Sequence, residues 1–316
     1  MRGRDPVALT EALLAGDRLA LPRLLSVVEA GGDEAREVGR RVYTRGTGAY
    51  TVGITGPPGA GKSTLTNRLI GLLRQRGSDV AVLAVDPSSP YTGGALLGDR
   101  VRMVDHAEDA GVFVRSMATR GHLGGLALAV PEVVRVLDAA GFGEILVETV
   151  GVGQSEVEIA GSADTTVIVL TPGAGDGVQA NKAGLLEVAD VFVINKADHP
   201  QTAELERDLR FMMDLTSWPD GWRPPIVRTI AVSGTGTADV LDAVVRHRQH
   251  LTASGDLDRR RAGRALAELR RVLIARLEHR ADEMLGRAGH AELRAAVAEL
   301  RIDPWTAAEQ ILGPVD

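Results

Sequence analysis

From Tyr50 onward the chain repeats one texture: short apolar runs rich in β-branched residues, separated by segments with helical spacing. The runs fall near 50–55, 79–85, 112–115, 144–148, 166–171, 190–194 and 226–232. Most are too apolar for a sheet with one wet face, and apolar residues three and four apart fill the stretches between them. Strands buried on both faces and alternating with helices predict an α/β fold, a mainly parallel sheet flanked by helices. Such a sheet presents its ligand loops at the carboxyl ends of its strands.

Outside this region the pattern is helical. Leu9, Leu13 and Leu14, then Leu21, Leu24, Leu25 and Val28, recur at spacings of three and four, and Gly46-Thr47-Gly48 marks a boundary. After about Gly255 the strand signal ends. Ala262, Leu266, Leu269, Leu273, Leu277, Ala281 and Met284 form a helical stripe beside Arg259 to Arg261, Arg270 and Arg271, and further helical runs cover about 290–299 and Trp305 to Leu312. The stripe packs either within the chain or against another subunit, and the arginines read as a solvated face. The expected organisation is an N-terminal helical extension over 1–45, an α/β domain over 46–255 and a C-terminal helical segment over 256–316.

Composition narrows the classes of function. A length of 316 residues with 44% hydrophobic and 25% charged residues is ordinary for a folded domain. The formal net charge of −6 argues against bulk nucleic-acid or anionic-membrane binding. The absence of cysteine removes disulfides, thiolate metal sites and cysteine nucleophiles. Met1 to Leu25 has no uninterrupted apolar core, and no stretch approaches the roughly 18 apolar residues of a membrane span. The expectation is a soluble cytoplasmic protein that binds neither nucleic acid nor membrane.

The chemistry sits at predicted strand ends. Gly56-Pro57-Pro58-Gly59-Ala60-Gly61-Lys62-Ser63-Thr64 fits G-x-x-x-x-G-K-[ST], follows a strand and opens a helix, which makes it a P-loop. Its glycines let backbone N–H groups curl around a β-phosphate, and the helix N-terminus adds positive potential. Lys62 is expected to neutralise the β- and γ-phosphates, and Ser63 to offer its hydroxyl to Mg2+. Asn195-Lys196-Ala197-Asp198 follows the strand 190–194 and has the N-K-x-D form that selects guanine. A carboxylate at Asp198 accepts from both N1–H and the 2-amine of guanine, whereas adenine offers neither. Such hydrogen-bonded selection reaches about 10⁴–10⁵. Ser233-Gly234-Thr235 sits where a backbone contact to the guanine O6 is expected, with an ordinary Ser-Gly turn as the alternative. The ligands implied are GTP or GDP with Mg2+.

Between these motifs lie acids suited to hold Mg2+ and sense the γ-phosphate: Asp86, Asp99 and Glu148. Asp86 and Glu148 end strands, and each acid has a helix N-cap as its bland alternative. Glu148 begins Glu148-Thr149-Val150-Gly151, one methylene longer than the common D-x-x-G, and can reach a metal-bound or attacking water. Lys62, Asp99 and Glu148 are the catalytic candidates, and Ser63, Asp86 and Glu148 the Mg2+ candidates.

Together, Ala84-Val85-Asp86-Pro87-Ser88-Ser89, Gly98-Asp99-Arg100, the string from Val147 to Glu156, Pro172-Gly173-Ala174-Gly175-Asp176 and Asn195-Lys196-Ala197-Asp198 resemble the MeaB/ArgK-type GTPases. The resemblance runs from about residue 10 to 285. It implies a chaperone of an adenosylcobalamin-dependent acyl-CoA mutase of the methylmalonyl-CoA mutase type, in which nucleotide state gates cofactor delivery. It also implies a homodimer joined through the C-terminal helices. The segment from Gly173 to Gly184 is implied to be a further switch facing the mutase, with Asp176, Gln179 and Lys182 as its polar groups. Relatives often carry a bulkier residue at 177 and another glycine near 180. Older family labels name a kinase or ATPase of arginine transport, and the guanine motif speaks against ATP. Two alternatives remain: a metal-insertion GTPase of the urease or hydrogenase maturation type, and a P-loop small-molecule kinase. The first usually uses Cys and His ligands; here His247 and His250, three apart on a predicted helix, read more simply as a surface pair.

Overall fold

The structure is a computed structural model that describes residues 5–86, 106, 108–118, 123–149, 161, 163–173, 188–218 and 220–313. Its residues group into two compact units, Met1–Ala262 and Gly263–Asp316. Three helices open the first unit: α1 (Pro6–Leu14), α2 (Leu21–Ala30) and α3 (Gly32–Val42). There follow β1 (Tyr50–Thr55), α4 (Lys62–Gln75), β2 (Val80–Asp86), β3 (Val112–Ala118), α5 (Leu123–Ala139), β4 (Glu144–Thr149) and β5 (Thr165–Leu170). Then come β6 (Val191–Asn195), α6 (Thr202–Asp214), β7 (Ile226–Thr229) and α7 (Thr237–Ser254), and α8 (Asp256–Gly286) begins in this unit.

The strands form a seven-stranded sheet in the order β3-β2-β4-β1-β5-β6-β7, and every pairing is parallel. Burial on both faces explains why the strands read as continuous apolar runs. Ala81, Leu83, Val85, Ile145 and Val147 face a core built with Leu21, Leu24, Leu25, Val38 and Val42 of the N-terminal helices and Val133, Val136 and Leu137 of α5. Val80, Val82, Leu146, Val167, Val169, Val191 and Val193 face the opposite core, with Leu65, Leu69 and Ile70 of α4 and Val240, Leu241 and Val244 of α7. The Gly46–Gly48 boundary is stitched to α5, because Asp138 Oδ1 accepts from Thr47 N at 2.8 Å and Ala49 N at 3.0 Å.

The seven expected strands are all present. The last is shorter than the reading 226–232: Ile230 leaves the ladder and makes an antiparallel bridge to Thr235, so Ala231 and Val232 lie in a loop.

In the second unit, α9 (Ala291–Ala298) and α10 (Pro304–Leu312) follow the rest of α8. Asp303 caps α10 by accepting from Trp305 N and Thr306 N, each at 3.0 Å, with Pro304 at the first helical position. Leu266, Leu269, Leu273 and Leu277 of α8 are exposed by 68%, 54%, 51% and 62%. No helix among the described residues is long and apolar enough to cross a membrane.

Candidate functional site

The phosphate loop leaves β1 through Gly56, whose φ of +149° only glycine adopts easily. A Cβ there would lie 2.0 Å from Val169 O, so the loop turns tightly against β5. Gly61 (φ +89°) is the N-cap of α4, and no side chain caps the helix, so its first N–H groups face the loop that a phosphate would fill. Lys62 is 6% exposed and folds back into the loop, donating to Gly56 O at 2.7 Å and Pro57 O at 3.0 Å. It is therefore not on an exposed surface loop, and its ammonium already points at the loop centre.

Ser63 Oγ donates to Glu148 Oε1 at 2.5 Å, and both residues are buried. The register brings them together: β4 runs beside β1, so the last residues of β4 end next to the strand that feeds the phosphate loop. Thr149 Oγ1 donates to Thr55 Oγ1 at 2.8 Å, tying the two strand ends together. A buried hydroxyl and carboxylate in contact form a hard oxygen pair, the donor set that Mg2+ prefers.

The base motif reaches the same loop. Asn195, 3% exposed at the end of β6, donates from Nδ2 to Ala60 O at 2.7 Å. Its Oδ1 accepts from Ala231 N and Thr229 Oγ1, both at 3.0 Å. One amide thus binds the phosphate loop to the loop after β7, and a Cβ on Gly61 would meet it at 2.2 Å. Lys196 takes a positive φ of +56°, rare for a residue with a side chain, and Ala197 N donates to Thr229 O at 3.0 Å. Asp198 is exposed and makes no hydrogen bond among the described residues.

Gly56, Pro58, Gly59, Ala60, Gly61, Lys62, Ser63, Thr64, Glu148, Asn195, Lys196 and Asp198 thus gather at the carboxyl ends of β1, β4 and β6. Ser233, Gly234 and Thr235 lie one step further out. Ser233 Oγ and Thr235 Oγ1 hydrogen-bond each other at 2.8 Å, and the N–H groups of Ser233 and Gly234 are both donated to Ile230 O. The residues stitched to Asn195 are Thr229 and Ala231, which the sequence reading did not single out. The backbone of Asp86 ends β2 while its side chain lies outside the described residues, as do Asp99, Asp176, Gln179 and Lys182.

The model of the methylmalonyl Co-A mutase-associated GTPase MeaB family matches residues 21–285. The chain belongs to the MeaB family. It is 48% identical over 307 residues to a protein of Pyrococcus abyssi, covering 96% of this chain and 95% of that one. It is 36% identical over 269 residues to the GTPase ArgK of Escherichia coli, with 82% and 81% covered. A crystal structure of a LAO/AO transport system kinase superposes with a TM-score of 0.72 at 26% identity, covering 97% of this chain and 96% of that one. The chain is a P-loop GTPase that binds guanine nucleotide.

In this MeaB-family chain Arg260, Arg261, His247 and His250 are held in internal contacts, which corrects the expectation for these four residues. Arg261 grips Asp164, just before β5, through Nε at 3.0 Å and Nη2 at 2.6 Å, and Asp164 Oδ2 also accepts from Thr51 N. Arg260 Nη1 pairs with Asp190, just before β6, at 2.9 Å. Neither arginine is simply a solvated face. His247 is fully buried: its Nδ1 lies 2.8 Å from Thr165 Oγ1, and its Nε2 lies 3.2 Å from Asp190 Oδ1. Trp222 packs at a tilt against both His247 and His250, with ring centroids 4.8 and 5.3 Å away. The histidines are therefore not a surface pair, and each already has partners. Burial pushes the Asp190 carboxyl up, but His247, Arg260 and the Thr166 N–H outweigh it and hold the group below its ordinary value. Tyr50 OH lies 2.5 Å from Thr165 Oγ1, and burial pushes its phenol up to about 12.

Proposed function

We propose that this GTPase is a nucleotide-gated chaperone of an adenosylcobalamin-dependent acyl-CoA mutase of the methylmalonyl-CoA mutase type. Family membership supports the class of partner. The observation that carries the switching half is Asn195, which hydrogen-bonds both the phosphate loop and the loop after β7, so that phosphate and base contacts report to one another.

In this reading the α4 N-terminus and the loop N–H groups hold the β-phosphate, and Lys62 exchanges its two carbonyl partners for β- and γ-phosphate oxygens. Ser63, Glu148 and Asp86 hold Mg2+, which neutralises phosphate charge when bound; the Ser63–Glu148 oxygen pair fits it. Glu148 and Asp99 orient the water that displaces GDP from the γ-phosphorus. Asn195, Lys196 and Asp198 hold the guanine, with the loop through Ser233, Gly234 and Thr235 closing over its O6 edge. The segment bearing Asp176, Gln179 and Lys182 carries nucleotide state to the mutase, and the exposed leucines of α8 join two copies of the chain. The nucleotide domain is then 46–255, between helical segments 1–45 and 256–316, in a cytoplasmic protein.

Multiple-turnover GTP hydrolysis, measured with and without a purified adenosylcobalamin-dependent mutase, tests this reading. Acceleration by the mutase that Gln179→Ala and Lys182→Ala abolish, with nucleotide affinity retained, is the expected result. Equal rates with and without mutase would remove the chaperone role.

A further inference from the structure

Arg68 lies six residues after Lys62 on α4, beyond the phosphate loop and outside every motif. Its guanidinium nevertheless reaches the loop after β7, donating from Nε to Ala231 O at 3.1 Å and from Nη2 to Val232 O at 2.5 Å. Two adjacent carbonyls are thus held by one rigid, permanently charged fork. The Ala231 carbonyl and the Val232 N–H belong to the same peptide, and no peptide in the described chain is cis. In a planar trans peptide these groups point in opposite directions, so fixing the carbonyl aims the N–H.

That N–H matters because its neighbours are taken. Ala231 N donates to Asn195 Oδ1, Ser233 N to Ile230 O, Gly234 N to Ile230 O and to the Ala231 carbonyl that Arg68 also holds, and Thr235 N to Ser233 Oγ. From Ala231 to Thr235, Val232 is the residue whose N–H makes no hydrogen bond among the described residues, and Val232 is 77% exposed. The Val232 N–H is thus a donor still available beside the Ser233–Thr235 segment expected to contact the base.

We infer that Arg68 is a positioning residue for base selection: by holding the Ala231 and Val232 carbonyls it aims the Val232 N–H at the 6-oxygen of guanine. A 6-amine would present a donor to that donor, so this contact rejects adenine independently of the 2-amine contact at Asp198. The inference rests on the guanine reading of Asp198 and adds a second, separable point of discrimination. It also gives α4 two tasks, phosphate at its first turn and base loop at its second.

The experiment measures GDP, IDP, ADP and XDP affinities by competition for the wild-type chain, Arg68→Met, Arg68→Lys and Asp198→Asn. Arg68→Met keeps the aliphatic stem and removes the fork. It is expected to weaken GDP and IDP alike by about tenfold, the size of one lost hydrogen bond to the base, while ADP is unchanged. The GDP/ADP ratio then falls and the GDP/IDP ratio, which reports the 2-amine, stays. KM for GTP rises with kcat retained, and Arg68→Lys recovers part of the ratio because an ammonium can still reach one carbonyl. Asp198→Asn is the control, expected to swing preference toward XDP because an amide can donate to the 2-carbonyl of xanthine. If that swing occurs and Arg68→Met leaves the GDP/ADP ratio unchanged, or weakens all nucleotides equally, the role of Arg68 is overturned alone. If Asp198→Asn leaves the preference for GDP intact, the guanine reading falls and takes this inference with it.

Discussion

The two ends of the sheet use similar residues in opposite ways. At the carboxyl ends of β1, β4 and β6, glycines bring backbone close to backbone, and Lys62, Ser63 and Glu148 converge on a loop that an anion and a cation can enter. At the amino ends of β1, β5 and β6, Tyr50, Thr165, His247 and Asp190 form a polar chain that Arg260 joins at Asp190, and beside it Arg261 grips Asp164. Both ends bury charge, and the difference lies in what completes it. A protein-only network contributes to folding, whereas Lys62 holds two carbonyls that a phosphate can replace.

The sharpest way to break this contrast is Asp190→Ala. It leaves His247 and Arg260 facing a lost carboxylate, and removal of one partner from a buried charge pair costs about 3–5 kcal/mol. Urea denaturation is expected to show that loss, with GDP affinity of the folded protein unchanged. A weakened GDP affinity would mean that the two ends are coupled.

Lys62→Ala is the mirror image. Losing a charge-assisted contact to phosphate costs about 1.5–3 kcal/mol of nucleotide affinity. Calorimetry is expected to record that loss in GDP binding, while the urea midpoint without nucleotide falls less than in Asp190→Ala, because the bonds lost are those to the Gly56 and Pro57 carbonyls. Retained affinity would rule out the phosphate site.

Gly61→Ala is expected to cross the divide. The φ of +89° strains an alanine by about 1–3 kcal/mol, and its Cβ would displace the Asn195 amide. Both the urea midpoint and GDP affinity should fall, since one substitution disturbs a backbone turn and the bond joining the two loops. A change in stability alone would show that the Asn195 bridge does not transmit.

The smallest expected effect is a pH dependence. Because Asp190 is held below its ordinary value, its contribution to stability is complete above about pH 4 and is lost as pH falls through the depressed value. The stability gap between the wild-type chain and Asp190→Asn should therefore narrow on acidification below about pH 4. A gap that is constant with pH would remove the ionised carboxylate from the network.

Much of this protein was determined by sequence alone. Strand positions follow from apolar runs that are buried whichever neighbour covers them, and the phosphate loop and N-K-x-D motif are contiguous, so their chemistry is local. Only the tertiary structure decided which distant groups complete each other. Asn195 meets Ala60 across 135 residues and Ala231 across 36, which turned an expected strand end at Ala231 and Val232 into the loop that Arg68 holds. Arg260 and Arg261 look solvated because hydropathy counts only their own charge. Their carboxylates at Asp164 and Asp190 stand 97 and 70 residues earlier, and packing of α7 and the start of α8 beside β5 and β6 brings the two signs together. Burial of a charge depends on its partner, and the partner is chosen by the fold.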